Sequence, residues 1–248
     1  VKKREYEVLY EVEDVHWWSL GHRYLYASLL DRYCPEAARG NVLDAGCGTG
    51  GFTQWIRGRY DPERIVGLDM SDDALARCRD RGLVELMCCP VERIPLPDDS
   101  FDLVLSLNVL YHREVTDDVG ALREMRRVIA PGGYLLLNLP AFSFLRGSHD
   151  EAVDGIRRYN AHDTLEKLAL AGLKPVKITY FVFTLFPFIA AFRLLSRVWA
   201  KEDPVSDLWL PPAPVNRALK SLLALEARVA VAHGLPMGTS ITALARKA

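Results

Sequence analysis

From residue 41 onward, short β-branched or leucine-rich runs alternate with segments whose apolar residues recur at helical spacing. That alternation predicts a parallel sheet wound with crossover helices. The runs predict strands at 41–45, 64–69, 84–89, 102–108 and 134–139, with helices opening near Thr49, Ser71 and Thr116. Ser71-Asp72-Asp73 is a helix-capping sequence, and Asp117-Asp118 places negative charge where a helix over 119–129 favours it. Pro131-Gly132-Gly133 stops that helix and turns the chain into the next strand.

Two regions flank this alternation. In residues 1 to 35 a helical pattern puts Leu25, Leu29 and Tyr33 on one face, preceded by His16-Trp17-Trp18, and reads as a strap or lid. Beyond Pro140 the pattern predicts a polar loop, a helix at 163–171, a strand at 175–183, two apolar helices and a closing strand at 240–244. The longest uncharged apolar stretch, 178–192, contains Pro187 and falls short of the roughly 20 residues a membrane span needs. The Pro-rich 210–214 is the one obvious linker, yet what lies either side is too short for separate domains, so one domain over 1–248 is expected.

Composition narrows the function. With 50% hydrophobic and 25% charged residues the chain is neither disordered nor a disulfide-stapled miniprotein. Lys+Arg 31 against Asp+Glu 32 leaves a net charge of −1, which gives no global field to hold a nucleic acid. The five cysteines have no C-x-x-C spacing, so neither a metal site nor a disulfide framework is expected, and a reducing, cytoplasmic setting fits them. Val1-Lys2-Lys3-Arg4-Glu5 has no apolar stretch behind it and does not read as a signal peptide.

The chemistry concentrates at Val42-Leu43-Asp44-Ala45-Gly46-Cys47-Gly48-Thr49-Gly50, a strand running into a glycine-packed turn and a helix. Alone, this is also how a tight strand-to-helix turn looks. The spacing is G-x-G-x-G with an acid two positions before the first glycine, not the G-x-G-x-x-G that seats a pyrophosphate on a helix N-terminus. Asp44 would repel a diphosphate and suits a cation. Asp69 closes the next strand, where a carboxylate grips ribose hydroxyls. The ligand expected is a cationic or neutral nucleoside.

These motifs, together with 67–71 (Gly-Leu-Asp-Met-Ser), 94–104 (Ile-Pro-Leu-Pro-Asp-Asp-Ser-Phe-Asp-Leu-Val) and 122–133 (Leu-Arg-Glu-Met-Arg-Arg-Val-Ile-Ala-Pro-Gly-Gly), resemble the class I S-adenosylmethionine-dependent methyltransferases of the type-11 domain subgroup. The resemblance covers roughly 40–140 in the family's order. The acidic residue three before His16-Trp17-Trp18, then His149-Asp150 and Arg157-Arg158-Tyr159, look like one branch of that family.

The resemblance implies an α/β, Rossmann-like fold: a mostly parallel sheet of about seven strands with an antiparallel last strand, helices on both faces and an N-terminal helical strap over 1–35. A cofactor core over 36–140 and a substrate side over 141–248 complete it. It implies S-adenosyl-L-methionine as cofactor and S-adenosyl-L-homocysteine as product. Gly46, Gly48 and Gly50 would pack under the methionine and ribose, Asp44 would order the amino group, Asp69 would hold the ribose hydroxyls and Met70 would lie on the adenine. The adenine-binding pair falls on Pro90 and Val91, and because Pro90 offers neither carboxylate nor N–H, adenine recognition passes to Val91 and Glu92. Asn108 would contact the methionine part.

Around this core, Trp17 and Trp18 suit a sulfonium, and Arg23 suits the methionine carboxylate or is a surface arginine. His112, His149 (followed by Asp150) and His16 are the candidate bases. Tyr111, Asp150, Tyr159 and Phe186 are the candidate acceptor-side residues. The Arg157-Arg158-Tyr159 run is either an anion clamp or a local ion pair with Asp150, Glu151 and Asp154; local pairing is favoured. Six aromatics, Phe181, Phe183, Phe186, Phe188, Phe192 and Trp199, line an acceptor pocket, an interface or a lipid surface, or simply pack in the core. The reading is methyl transfer to a small, partly apolar acceptor by a monomer or homodimer, with no nucleic-acid partner. The alternatives are a nicotinamide-dependent oxidoreductase and a non-catalytic cofactor-binding partner subunit.

Overall fold

The computed structural model describes residues 3–196 and 209–248. Two helices come first, α1 (Lys3–Val12) and α2 (Trp17–Tyr33), followed by β1 (Asn41–Ala45), α3 (Gly51–Tyr60), β2 (Arg64–Asp69), α4 (Asp72–Asp80), β3 (Leu86–Cys88), β4 (Phe101–Leu107), α5 (Asp118–Val128) and β5 (Ile129–Pro140). The chain then adds α6 (Ser148–Ala152), α7 (Ala161–Leu170), β6 (Leu173–Phe181), α8 (Phe186–Ser196), α9 (Ala213–His233) and β7 (Ser240–Lys247).

The seven strands lie in one sheet in the order β3-β2-β1-β4-β5-β7-β6. The first five are parallel, and β7 inserts antiparallel to both β5 and β6. The order reverses between β1 and β4, and at such a switch point the helices leave on opposite faces and open a crevice at the carboxyl ends of the strands. Alternation along the strands splits the core in two. Leu43, Val66 and Val104 pack with Leu122 and Met125 of α5, while Val42, Leu103 and Leu105 pack with Leu25 and Leu29 of α2 and Leu223 of α9.

Capping sets the helix starts. Ser71 Oγ accepts from Ala74 N–H at 3.3 Å and the Asp117 carboxylate accepts from Gly120 N–H at 2.8 Å, as the sequence implies. Several boundaries shift, with β6 two residues earlier than expected and β7 running on to Lys247, and two of the differences have a clear cause. The third strand is only three residues long, because Val84 is 88% exposed and Pro90 ends the pairing. The fifth begins at Ile129, five residues before the expected start. Pro131-Gly132-Gly133 forms an irregular stretch inside it, and the ladder to β4 resumes at Leu103–Tyr134. Trp199 lies outside the described residues.

The N-terminal strap is two helices. Arg77 of α4 and Arg81, which caps its C-terminus, stack on Tyr10 of α1, with 5.2 and 4.6 Å from guanidinium to ring centroid, and this fastens α1 beside the glycine turn.

Candidate active site

A cavity of about 870 Å³ opens at the carboxyl edge of the parallel strands, roofed by α1 and α2 and bounded on the far side by α6 and α8. The glycine turn forms its floor. Gly46 and Cys47 both donate to the Leu68 carbonyl, at 2.8 and 2.9 Å, which ties the end of β1 to β2. Gly48, at φ +54°, donates to Asp69 Oδ2 at 2.9 Å, and a Cβ there would meet no protein atom within 4 Å. Its bare face belongs to the cavity.

Gly50 departs from the expected role. It lies outside the cavity lining and caps α3 at φ +79°, and a Cβ there would fall 2.8 Å from both Cys78 Sγ and Leu83 Cδ1. It is glycine for packing, not for ligand approach. Gly50→Ala should therefore destabilise the fold by about 1–3 kcal/mol more than Gly48→Ala, the cost of overpacking added to a shared backbone strain. Urea unfolding of the two variants measures the difference, and equal midpoints would contradict it.

Three carboxylates gather at this end. Asp69 accepts from Ser71 N–H through Oδ1 and from Gly48 N–H through Oδ2, both at 2.9 Å, which aims the group at the cavity. Asp44 is 2% exposed and takes a 2.6 Å hydrogen bond from Thr53 Oγ1. Burial, with Asp69 and Glu13 nearby, pushes its carboxyl up to about 7. Glu13 was not assigned a role from sequence. It lies against Gly51, where α3 begins, and accepts from Thr49 Oγ1 at 2.5 Å and from Arg81 at 2.7 Å. Burial raises the pKa of Glu13 and of Asp69 too. Acids held above their usual range are poised to ionise against a cation. Glu13 also fills the place at a helix N-terminus where a pyrophosphate would otherwise bind.

The strap supplies the roof. Tyr6, His16, Trp17, Trp18, His22 and Arg23 all border the cavity. His16 is the N-cap of α2, its Nδ1 accepting from Trp18 N–H at 3.4 Å, and burial lowers its pKa. Arg23 donates through Nη2 to Asp14 at 2.6 Å and to the Gly51 carbonyl at 3.1 Å, so that nitrogen is engaged in holding strap to turn. Tyr6, unassigned from sequence, bonds Ser71 and sits close enough to Asp69 for burial and that charge to raise its pKa.

Beyond β4 the chain turns at Asn108, whose φ of +59° is held by a bond from Asn138 Nδ2 at 2.9 Å. Asn138 Oδ1 in turn accepts from Thr242 at 2.6 Å, so a buried polar chain fixes the mouth between β4, β5 and β7. Tyr111 and His112 follow into the lining. His112 Nδ1 donates to the Val153 carbonyl at 2.8 Å, which leaves Nε2 as its basic nitrogen, and burial lowers its pKa. Met70, half exposed, and Val91, buried, line the cavity together with Pro90. Glu92 borders it, but its Oε1 takes three hydrogen bonds, from Thr116 N–H, Thr116 Oγ1 and Asp117 N–H at 2.8–2.9 Å. Its place in the fold is at the start of α5.

On the far side Asp150 is gripped by Arg158 through Nε and Nη2 at 2.8 and 3.0 Å, and takes a further 3.3 Å contact from Arg193 of α8. The local ion pair expected there forms between Asp150 and Arg158, whereas Arg157 donates to the carbonyls of Leu110, Val115 and Thr116. Tyr159 and Phe186 are corrected as acceptor-side residues, since neither lines the cavity. Tyr159 is 3% exposed and donates to the Leu110 carbonyl and to Asp118, both at 3.0 Å. Phe186 packs on Phe142 and Phe144 at ring distances of 5.8 and 6.3 Å, and α8 presents Ile189 and Phe192 to the cavity instead. His149 is the second residue of α6, and its side chain lies outside the described set.

Residues 43–137 match the family model for a methyltransferase domain. That stretch is similar to the methyltransferase domains of S-adenosylmethionine-dependent enzymes. The chain is 35% identical across 133 residues to a malonyl-[acyl-carrier protein] O-methyltransferase of Serratia marcescens, a match that covers 52% of this chain and 51% of that protein. It is 37% identical across 117 residues to a fatty-acid O-methyltransferase of Mycolicibacterium smegmatis, covering 45% of this chain and 40% of that protein. The chain thus spans about half the length of the curated relatives it matches. In fold, a Thermotoga maritima structure described as a S-adenosylmethionine-dependent methyltransferase, possible histamine N-methyltransferase, superposes with a TM-score of 0.62 at 20% identity, covering 99% of this chain and 95% of that one.

Proposed function

We propose that the chain binds S-adenosylmethionine along Asp44, Gly46, Gly48 and Asp69 and transfers its methyl group to a small, partly apolar acceptor. The observation that carries the reading is the division of one cavity. Raised-pKa carboxylates stand at the glycine turn, and apolar side chains of α8 and the strap line the rest. When bound, the donor supplies an electrophilic methyl on a sulfonium. The protein's part is placement, with Asp69 toward ribose, Asp44 toward the amino group, and Trp17 and Trp18 offering ring faces to positive charge. Holding two reactants in line is worth about 7–11 kcal/mol, so a general base is not required for every acceptor.

The relatives named for malonyl-[acyl-carrier protein] and fatty acids support an acceptor with an acyl-like body. The place of Glu13 on α3 argues against nicotinamide chemistry. Asp44 and Asp69, both in place at the strand ends, argue against a lapsed binding subunit. No described helix is long and apolar enough to cross a membrane. The described cysteines are all free. Incubation with methyl-labelled donor and a panel of acyl acids, alcohols and amines tests the activity. Label in an acceptor supports it, and label confined to unreacted donor contradicts it.

A proton link follows from Asp44. With its carboxyl near 7 in the free protein, binding a cation beside it below that pH releases a proton. Donor affinity should then rise with pH up to about 7, approaching tenfold per unit for one proton, and flatten above. Stability of the free protein has the opposite sense. The folded state keeps a proton the unfolded chain loses near 4, so stability falls as pH rises from about 4 to 7. Calorimetry of wild type and Asp44→Asn checks this, and an unchanged pH slope in the variant would contradict the assignment.

A further inference from the structure

Where α2 passes the start of β7, His22 and Ser240 meet in the cavity wall, and neither takes part in the donor contacts above. His22 Nδ1 lies 2.9 Å from the carbonyl oxygen of Trp18, one helical turn back. A carbonyl only accepts, so Nδ1 carries the ring proton. The imidazole is 2% exposed and packed by Trp18 at 3.9 Å, Phe181 at 5.0 Å and Tyr26 at 5.7 Å. None of these is charged. Burial pushes the ring's pKa down to about 4, so it stays neutral and Nε2 keeps its lone pair.

Ser240 Oγ stands 2.9 Å from Nε2. A serine hydroxyl has one proton and two acceptor sites. Its one proton is directed at His22, so toward the cavity it has only lone pairs to offer. The position matters, because Ser240 is the first residue of an antiparallel strand paired with Pro140. It therefore sits at the same sheet edge as Asp44 and Asp69, on the β5–β7 side of the cavity.

We propose that Ser240, its proton held by His22, is a specificity-determining residue that accepts a hydrogen bond from an O–H or N–H of the methyl acceptor and disfavours a group with lone pairs alone. The inference rests on the methyl-transfer reading and narrows it: a protic alcohol or amine with an apolar body fits this wall, and a carboxylate presented to it does not. His22 acts through Ser240 and is a positioning residue.

Two measurements on the full chain test it. Histidine-labelled nitrogen NMR should find His22 protonated at Nδ1 and bare at Nε2, and a proton at Nε2 would overturn the inference, since Ser240 would then accept from His22 and be free to donate. Calorimetry with 1-hexanol, hexanoate and methyl pentyl ether reads the cavity directly. The alcohol should bind about 5–10-fold more tightly than the ether, the worth of one neutral hydrogen bond, with hexanoate weaker than the alcohol. Ser240→Ala should bring alcohol and ether together. An alcohol-to-ether ratio unchanged by the substitution would overturn it. S-adenosylmethionine titrated into the same samples separates the two readings: intact donor binding with an unchanged ratio removes this inference and leaves the donor site standing.

Discussion

Replacing Asp150 by Ala is expected to destabilise the fold by about 3 kcal/mol, the lower end of the 3–5 kcal/mol lost when one member of a buried ion pair is removed. The carboxylate is almost wholly enclosed, with side-chain exposures of 4% for Asp150 and 6% for Arg158. It also accepts from Gly147 N–H at 2.8 Å, so it closes the loop before α6 as well as pairing Arg158. Without it, Arg158 keeps its 2.9 Å bond to the Ala141 carbonyl but has lost its counter-charge. The lower figure applies because Arg158 borders the cavity, where water can enter. Burial alone would raise the Asp150 pKa, yet Arg158, the Gly147 N–H and Arg193 outweigh it and hold the carboxyl below its usual range. A lowered acid contributes stability above its unfolded pKa and loses it as pH falls through the folded one. Denaturant midpoints for wild type and variant at neutral pH check the magnitude, and a loss under about 1 kcal/mol, the worth of a surface pair, would contradict it.

Replacing Asp69 by Ala should weaken donor binding by about 1.5–3 kcal/mol, the range for hydrogen bonds to a charged group, or roughly 10- to 150-fold in Kd. Two effects act together. The carboxylate would meet the ribose hydroxyls directly, and its bonds from Gly48 and Ser71 N–H shape the turn that lies under the ligand. Asp69→Asn separates them, since an amide oxygen can keep one backbone bond while the charge is gone. Calorimetry on both variants reads the difference, and a Kd unchanged in Asp69→Ala would contradict the ribose assignment.

Which of these residues could be read from sequence follows from how local their signals are. Asp44 and Asp69 end strands whose β-branched runs and turn glycines mark their limits within a few residues, and β1 and β2 fall where the pattern places them. Ser71 and Asp117 cap helices as their residue types dictate. Gly50 looked like its two neighbours, because spacing shows that a position needs glycine and not whether the ligand or Cys78 crowds it. Tyr6 and Ser240 carried no local signal for the site, and Glu13 showed only as the acid three residues before His16-Trp17-Trp18, with no role attached. They reach it through the fastening of α1 to α4 and the insertion of β7 beside β5, which are long-range packing events. His22 had a partial signal, one turn from Trp18 on a predicted helix, but its bond to Ser240 spans 218 residues. Tyr159 and Phe186 were misplaced for the converse reason. An aromatic near a site satisfies packing and pocket alike, and only the direction of the side chain decides between them.

The raised-pKa carboxylates at the glycine turn are expected to bind a cationic nucleoside and to exclude a diphosphate. Isothermal titration of the full chain with S-adenosylmethionine, with its demethylated product and with NAD is the deciding measurement. Saturable one-to-one binding of the first two and none of the third is expected. Absence of heat for both the methyl donor and its product, or saturable binding of NAD, would contradict it.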